Sequence, residues 1–220
     1  MTDNRIPVRP LVWVSVFAAA FAFVESSVVV YLRAIYYPEG FSFPLKVIVS
    51  QHLVVEVCRE AATLVMLLSV GIIAGRSKWQ RFGYFCLAFG VWDIFYYVWL
   101  KVILGWPISL SEWDILFLIP LPWIGPVASA VIIALLLVLC GTDIVIRTSL
   151  EKHFKPTIIS WACAFAGTAV ILYSFMNDTE ATLRAGTPLP YRYELLVIAV
   201  ILYVVGYVFA CRQIPTKKVS

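Results

Sequence analysis

Residues 51–71 read QHLVVEVCREAATLVMLLSVG, an apolar segment long enough to cross a membrane that nevertheless carries four ionisable side chains. His52, Glu56, Arg59 and Glu60 lie within nine consecutive positions. On a helix they occupy one face, an arc of about 100°. Because a charge in the middle of a bilayer costs about 2.5–3.5 kcal/mol on insertion scales, this face is predicted to point into a helix bundle or a wet cavity.

The composition of the whole chain agrees with a membrane protein. The chain is 62% hydrophobic and 14% charged, whereas a soluble domain is about 45–50% apolar and about 25% charged. No basic stripe with interleaved aromatic residues lies outside the apolar segments, so we expect no nucleic-acid partner. The GxSxG, Walker and HExxH signatures are absent from the sequence, which excludes the familiar nucleophile, nucleotide and zinc-protease motifs.

Hydrophobic segments divide the chain into predicted spans. A helix needs about 20 mostly apolar residues to cross about 30 Å of hydrocarbon. The sequence predicts an all-α, polytopic helical bundle, residues 1–220 forming a single transmembrane domain. Its six transmembrane helices are expected at about residues 11–32, 46–75, 81–104, 124–146, 157–176 and 193–211.

The distribution of basic residues predicts the orientation of the bundle. Lys and Arg cluster at both termini and in the second and fourth connections, and the other connections are poorer in them for their length. The positive-inside rule therefore predicts a cytoplasmic N-terminus and a cytoplasmic C-terminus. We expect the cell membrane as the location, which in a bacterium is the inner membrane.

Two features of the first and second spans bear on this topology. Residues 9–23, RPLVWVSVFAAAFAF, could alternatively form a cleaved signal peptide, which would leave five spans. The apolar run resumes after Glu25, which favours a full span. In the second span, Gly71 and Gly75 have the small-xxx-small spacing that is typical of close helix contacts.

Polar side chains recur in the first and third spans. Asp93, Tyr97 and Lys101 are spaced i, i+4 and i+8, with Tyr96 beside them. The first span contributes Glu25 and, at its outer end, Arg33. These spacings place the side chains of the third span on one helix face. We predict that this face meets the charged face of the second span.

The depth of three carboxylates in the membrane can be compared from the sequence. Glu25 and Glu60 each lie sixteen residues from the nearest cytoplasmic arginine, or about 24 Å at about 1.5 Å per residue. Asp93 lies twelve residues from one, or about 18 Å. The sequence therefore predicts one polar cavity in the outer half of the membrane, which opens outward and is built by the first three spans.

Two interpretations of this cluster remain open. Because acids outnumber bases, Glu25, Glu56, Glu60 and Asp93 are candidate catalytic groups for proton transfer. Candidate substrate-binding residues are Arg59, Tyr96, Tyr97, Lys101, Trp113 and Asp114, with Arg59 as an anion clamp. Alternatively, the Glu56–Arg59, Glu25–Arg59 and Asp93–Lys101 pairs only hold the helices together.

The ligand types also allow a divalent metal. His52, Glu56 and Glu60 are the candidate ligands, because carboxylates with one imidazole suit Mn, Fe, Zn or Mg. The sequence has no Glu-x-x-His motif of the kind that di-iron bundles use.

Residues 105–126, GWPISLSEWDILFLIPLPWIGP, form a connection that is neither a span nor a polar loop. Its tryptophans suit the membrane interface. Ser111 followed by Asp114 resembles the cap of a short helix, which Pro120 and Pro122 would end. We predict a short interfacial or re-entrant segment between helices 3 and 4, with Asp114 over the mouth of the cavity.

Three functions remain open from the sequence. The first is an enzyme that performs acid–base or metal-assisted chemistry on a lipid or isoprenoid substrate. The second is a non-catalytic subunit of a larger membrane complex, of the respiratory type, with a proton or quinone path. The third is a small transporter. Membrane lipids are expected partners in each case, and partner subunits or a homo-oligomer are further alternatives.

Overall fold

The computed structural model of the protein describes residues 5–43, 50–177, 179, 186 and 188–212. Within these ranges six helices are long and apolar enough to cross a membrane, as the sequence predicts. The chain is therefore a multi-pass membrane protein. The helices are α1 (Val8–Tyr36), α2 (Ser50–Ala74), α3 (Lys78–Leu104), α4 (Val127–Ser149), α5 (Ile158–Met176) and α6 (Tyr193–Cys211).

The first helix is continuous through the region where a signal peptide would end. It packs along α3, where the indole nitrogen of Trp99 donates a hydrogen bond to the carbonyl oxygen of Ala19 over 2.9 Å. Further along, the hydroxyl of Ser26 donates to the carbonyl oxygen of Tyr96 over 3.1 Å. Helix α1 therefore forms one wall of the bundle.

Helix α3 is the centre of the bundle and contacts α1, α2 and α4. The glycine pair of α2 lies against it, and a Cβ atom on Gly71 would lie 2.8 Å from the carbonyl oxygen of Arg81. The predicted close contact of the small-xxx-small motif is thus confirmed. A second close approach, between α3 and α4, was not predicted: a Cβ atom on Gly83 would lie 2.8 Å from the carbonyl oxygen of Gly141.

The connection between α3 and α4 is a β-hairpin, and the predicted short helix is wrong. Strands β1 (Trp113–Phe117) and β2 (Trp123–Pro126) pair antiparallel, with Asp114 opposite Gly125. The hydroxyl of Ser111 pairs with that of Ser109 over 2.7 Å, so it caps no helix. The β1 sequence WDILF is rich in aromatic and branched residues, which favours a strand. The all-α prediction is corrected to a mostly helical bundle with one hairpin.

Helices α5 and α6 form a separate antiparallel pair. They pack closely on each other, touch α4 only lightly, and reach the rest of the bundle mainly through β2. The end of the bundle that carries β1 and β2 is called the hairpin end below. The opposite end, which carries the basic connections between α2 and α3 and between α4 and α5, is called the basic end.

Candidate functional site

The hairpin borders a partly open cavity, the central cavity, that lies between α1, α2 and α3 and is bordered by charged side chains. The cavity has a volume of about 130 Å³, which is room for a few water molecules or one small polar group. Seven charged side chains line it, from all three helices and from β1: Glu25, Arg33, Glu56, Arg59, Glu60, Asp93 and Asp114. The structure thus places the four candidate catalytic carboxylates around one space.

Arg59 joins two of these carboxylates. It forms an ion pair with Glu25 of α1 and another with Glu56 of its own helix, at 2.6 Å between Nη2 and Oε2. Thr63 Oγ1 also donates to Glu25 Oε2 over 3.1 Å. Both predicted pairs of Arg59 are therefore present, and they connect α1 to α2 inside the bundle.

Glu60 connects α2 to the hairpin. Its Oε2 accepts a hydrogen bond from the backbone N–H of Leu118 over 2.9 Å, just after the end of β1. The side chain is buried. Glu60 therefore accepts a hydrogen bond from the segment after β1, which borders the cavity. A backbone N–H without a partner would be costly there.

Asp114 connects β1 to α1. Arg33 Nη2 donates to Asp114 Oδ1 over 3.1 Å, and the Arg33 guanidinium stacks 3.7 Å from the ring centre of Trp106 and 4.4 Å from that of Phe41. Burial raises the pKa of Asp114 to about 6, although Arg33 and a hydrogen bond from Tyr97 act in the opposite direction. Asp114 lies in the cavity wall, rather than above its mouth.

Asp93 differs from the other acids of the cavity. It lines the space, and among the described residues it has no ion pair and no hydrogen-bond partner. The predicted pair with Lys101 is wrong, because Lys101 Nζ donates to the carbonyl oxygens of Gly105 over 3.0 Å and Pro107 over 2.9 Å. Lys101 thus binds the carbonyl groups that follow its own helix.

The charges around the cavity do not balance. Five carboxyl groups face two guanidinium groups, so full ionisation would leave three negative charges uncompensated by the lining residues. Such an excess is unfavourable in a buried site. The arrangement therefore suits uptake of protons or of a positively charged group.

The remaining candidate residues are divided between the cavity and its surroundings. Tyr96 lines the central cavity, while Tyr97 is buried against Val127 and Ala130 of α4. Trp113 lies outside the central cavity with its ring 6.1 Å from that of Tyr191.

The candidate metal ligands are not brought together. His52 Nδ1 lies 2.5 Å from the hydroxyl of Tyr36, and His52 does not line the cavity. Within the described ranges no group of three or more His, Cys, Asp or Glu side chains could hold a metal ion. The predicted set of His52, Glu56 and Glu60 is corrected accordingly, since Glu56 binds Arg59 and Glu60 binds the hairpin backbone.

A second space, the aromatic cavity, adjoins the central cavity at the hairpin end. It has a volume of about 880 Å³ and is lined by the connection after α1 and by residues 104–113. Arg33, Tyr37 and Phe41 line both spaces. A small polar compartment thus lies next to a larger, partly aromatic one.

Some residues of the site were not recognised in the sequence. Arg33 was placed at the outer end of the first span but was not a candidate site residue, although it follows Glu25 by eight residues, about 80° around the helix, which indicates a shared face. Trp92 lines the cavity next to Asp93. The backbone N–H of Leu118 has no sequence signal, because its position depends on the path of the hairpin.

Comparisons of the chain with protein-family models, with curated proteins and with solved structures give no match.

Proposed function

We propose that this protein is a membrane enzyme that performs acid–base chemistry on the polar end of a lipid or isoprenoid. The observation that carries the proposal is the state of Asp93, which faces the central cavity without a partner among the described residues. The other acids of the cavity are held by Arg59, by Arg33 or by the hairpin backbone. A carboxyl group that is not used for structure is available to exchange a proton with a substrate.

The two adjoining spaces suit the two ends of such a substrate. The central cavity, at about 130 Å³, admits only a small polar group. The aromatic cavity, at about 880 Å³, is large enough for part of an apolar chain, and Phe41, Phe43 and Trp106 line it. The polar end of the substrate would pass Arg33, which borders both spaces.

Within this proposal the charged residues have different roles. Asp93 is the proton donor or acceptor, and Glu60 is the second acid of the cavity. Arg59 positions Glu25 and Glu56, and it has little charge left for an anionic substrate because two carboxylates already neutralise it. The rings of Trp92 and Tyr96 could stabilise positive charge that develops on the substrate.

The orientation and location belong to the same proposal. The positive-inside rule favours cytoplasmic termini, which puts the basic end in the cytoplasm and the hairpin end outside. The central cavity and the aromatic cavity then face the outer half of the membrane. In a bacterium this membrane is the inner membrane. The hairpin would lie at the interface as a short, partly re-entrant segment.

A second candidate function is a subunit of a larger membrane complex with a proton or quinone path. The observation that favours it is the apolar outer surface of the α5–α6 pair, where Ile158 is 88% exposed and Phe165 is 69% exposed. A partner subunit or a second copy of the chain could cover this surface. A transporter has less support, because the lining residues of the central cavity lie in the hairpin-end halves of the helices.

The enzyme proposal is tested by comparing the lipids that remain after incubation with wild type and with a variant that lacks the Asp93 carboxyl group. Purified wild type, Asp93→Asn and Glu194→Gln are incubated with a total lipid extract, and lipid species are quantified by mass spectrometry. Glu194 is the control, because it is exposed in the first turn of α6 and lines neither cavity.

We expect wild type and Glu194→Gln to convert one lipid class at similar rates. Loss of a general acid or base reduces such a rate by about 10²–10⁴-fold, so Asp93→Asn should be nearly inactive. Equal lipid profiles for all three proteins would contradict the proposal and favour the subunit.

A further inference from the structure

The loosely attached α5–α6 pair leaves a long apolar cleft against α3 and α4. The cleft has a volume of about 440 Å³ and is lined along α5 from Ser160 to Phe175. Fifteen residues of helix correspond to about 22 Å at about 1.5 Å each. This length exceeds the hydrocarbon depth of one leaflet, about 15 Å.

Few polar groups in the wall of the cleft are available to a ligand, and one of them is the indole N–H of Trp123, which is buried with no hydrogen-bond partner among the described residues. Most lining side chains are aliphatic or aromatic. The hydroxyl groups of Thr168 and Tyr203 bind each other over 3.0 Å, and that of Ser160 pairs with Thr157 over 3.1 Å. A space of this shape inside a membrane fits a single hydrocarbon chain.

The basic end of the cleft has a different character. Aromatic rings surround it, with Trp79 packed 5.2 Å from Phe154 and Phe154 packed 6.1 Å from Tyr207, measured between ring centres. The backbone N–H of Lys155 donates to the carbonyl oxygen of Ala210 over 2.9 Å. This bond fixes the connection between α4 and α5 against the end of α6, beside the cleft.

That connection carries more basic than acidic side chains. Arg147 is paired with Asp143 over 2.5 Å. Lys152 and Lys155 are exposed, and neither forms an ion pair with an acid in the described part of the chain. An apolar cleft beside a connection with two exposed lysines matches the chain and the phosphate of an anionic lipid.

We propose that the cleft binds one anionic phospholipid, with an acyl chain between α4 and the α5–α6 pair and the phosphate at Lys152 and Lys155. The bound lipid fills the gap that α4 and the helix pair leave between them. It would therefore hold the pair against the bundle. The site shares no lining residue with the central cavity, so the proposal does not depend on the enzyme function.

Native mass spectrometry of the full chain tests this proposal. The protein is purified in detergent and mixed with equal amounts of phosphatidylglycerol and phosphatidylcholine. Two basic side chains near a phosphate predict a preference for phosphatidylglycerol of about thirty-fold, equivalent to about 2 kcal/mol. Equal binding of the two lipids would overturn the proposal.

Two matched variants test the chain-binding part. Cys140→Phe fills the cleft from α4, whereas Leu139→Phe adds a ring on the neighbouring residue, which is 65% exposed and lies outside the cleft. Bound phosphatidylglycerol should fall at least about tenfold in the first variant and stay unchanged in the second. If Cys140→Phe does not fold, Ala164→Phe fills the same space from α5. Undiminished binding in a folded filling variant would show that the lipid is only annular and would overturn the site.

A charge-matched pair tests the phosphate-binding part. The double variant Lys152→Gln with Lys155→Gln should lose the preference for phosphatidylglycerol. Arg9→Gln with Arg76→Gln removes the same charge from exposed positions at the same end of the bundle and should retain it. Equal loss in both double variants would show that the preference for phosphatidylglycerol depends only on the net charge of the protein. It would overturn the assignment of the phosphate site to Lys152 and Lys155.

Discussion

Arg59 and Arg147 each bind a carboxylate about one helical turn before them, but they do so in different surroundings. The Arg59 side chain is 20% exposed and its partner Glu56 is 9% exposed. The Arg147 side chain is 32% exposed and its partner Asp143 is 42% exposed. The same local pattern in the sequence therefore gives a buried pair in one helix and a partly solvated pair in another.

The two ion pairs also differ in the side chains that distant helices bring to them. Arg59 receives a second carboxylate, Glu25, from α1. Asp143 instead receives a hydrogen bond from the hydroxyl of Tyr207, from α6 at the basic end. Burial together with an excess of acids makes the first cluster electrostatically sensitive, while water near the second cluster screens it.

The largest expected effect comes from removing the buried guanidinium. Arg59→Met should lower the free energy of unfolding by about 3–5 kcal/mol, because Glu25 and Glu56 then lie buried without a counter-charge. Unfolding by denaturant in mixed micelles measures the loss. Adding Glu25→Gln to Arg59→Met should recover part of it, since one uncompensated charge is removed. If Arg59→Met lowers the free energy of unfolding by less than about 1 kcal/mol, the Arg59 ion pairs contribute no more than a solvated pair such as that of Arg147.

A pH-dependent effect is expected at Asp114. Its pKa is raised from 3.8 to about 6 in the folded protein, so the folded state binds the proton more tightly than the unfolded chain does. The stability contributed by the protonated group is therefore lost as the pH rises from about 3.8 through about 6. At 1.36 kcal/mol per pKa unit the change is at most about 3 kcal/mol.

The measurement for Asp114 is a difference between two proteins. Wild type and Asp114→Asn are unfolded between pH 4 and pH 8, and the variant is subtracted so that the other titrating groups largely cancel. The difference should fall between pH 4 and pH 6 and then stay level. A difference that rises with pH in that window would show that Arg33 outweighs burial.

A smaller effect on the free energy of unfolding is expected at Glu60, because Glu60 accepts one hydrogen bond from the hairpin backbone. Glu60→Ala leaves the partly buried N–H of Leu118 without an acceptor and should cost about 1–3 kcal/mol. Glu60→Gln retains an acceptor oxygen and should cost less. Amide hydrogen exchange at Leu118 measures this directly, with faster exchange expected in Glu60→Ala. Unchanged exchange would mean that Glu60 does not hold the hairpin.

The smallest effect is expected at the solvated pair. Arg147→Met should change the free energy of unfolding by no more than about 1 kcal/mol, as is usual for exposed ion pairs. Added salt should reduce the difference further because it screens the pair. A loss comparable to that of Arg59→Met would remove the contrast between the two clusters.

The sequence predicts the membrane-spanning elements well, since each depends on local apolar composition. The six predicted spans coincide with α1–α6 apart from a few residues at their ends. The predicted contacts of Arg59 with Glu25 and Glu56 are present. A helix fixes which side chains share a face, and this face must avoid lipid.

The sequence predicts the third connection poorly. The Ser111-x-x-Asp114 spacing suits a helix cap, but pairing with residues 123–126 makes residues 113–117 a strand. This pairing brings Asp114 to Arg33 and the backbone of Leu118 to Glu60. Local pattern could not predict these contacts because their partners are about 60 to 80 residues apart.

Composition and periodicity alone determined that the described part of this chain has six helices long and apolar enough to span a membrane, with acids on buried helix faces. Both follow from the cost of charge in hydrocarbon. Tertiary structure alone decided which acids are neutralised and which one, Asp93, faces a cavity without a partner in the described part of the chain. The reason is that the pairing of a buried charge depends on what other segments bring within reach, and that depends on the packing of the whole bundle.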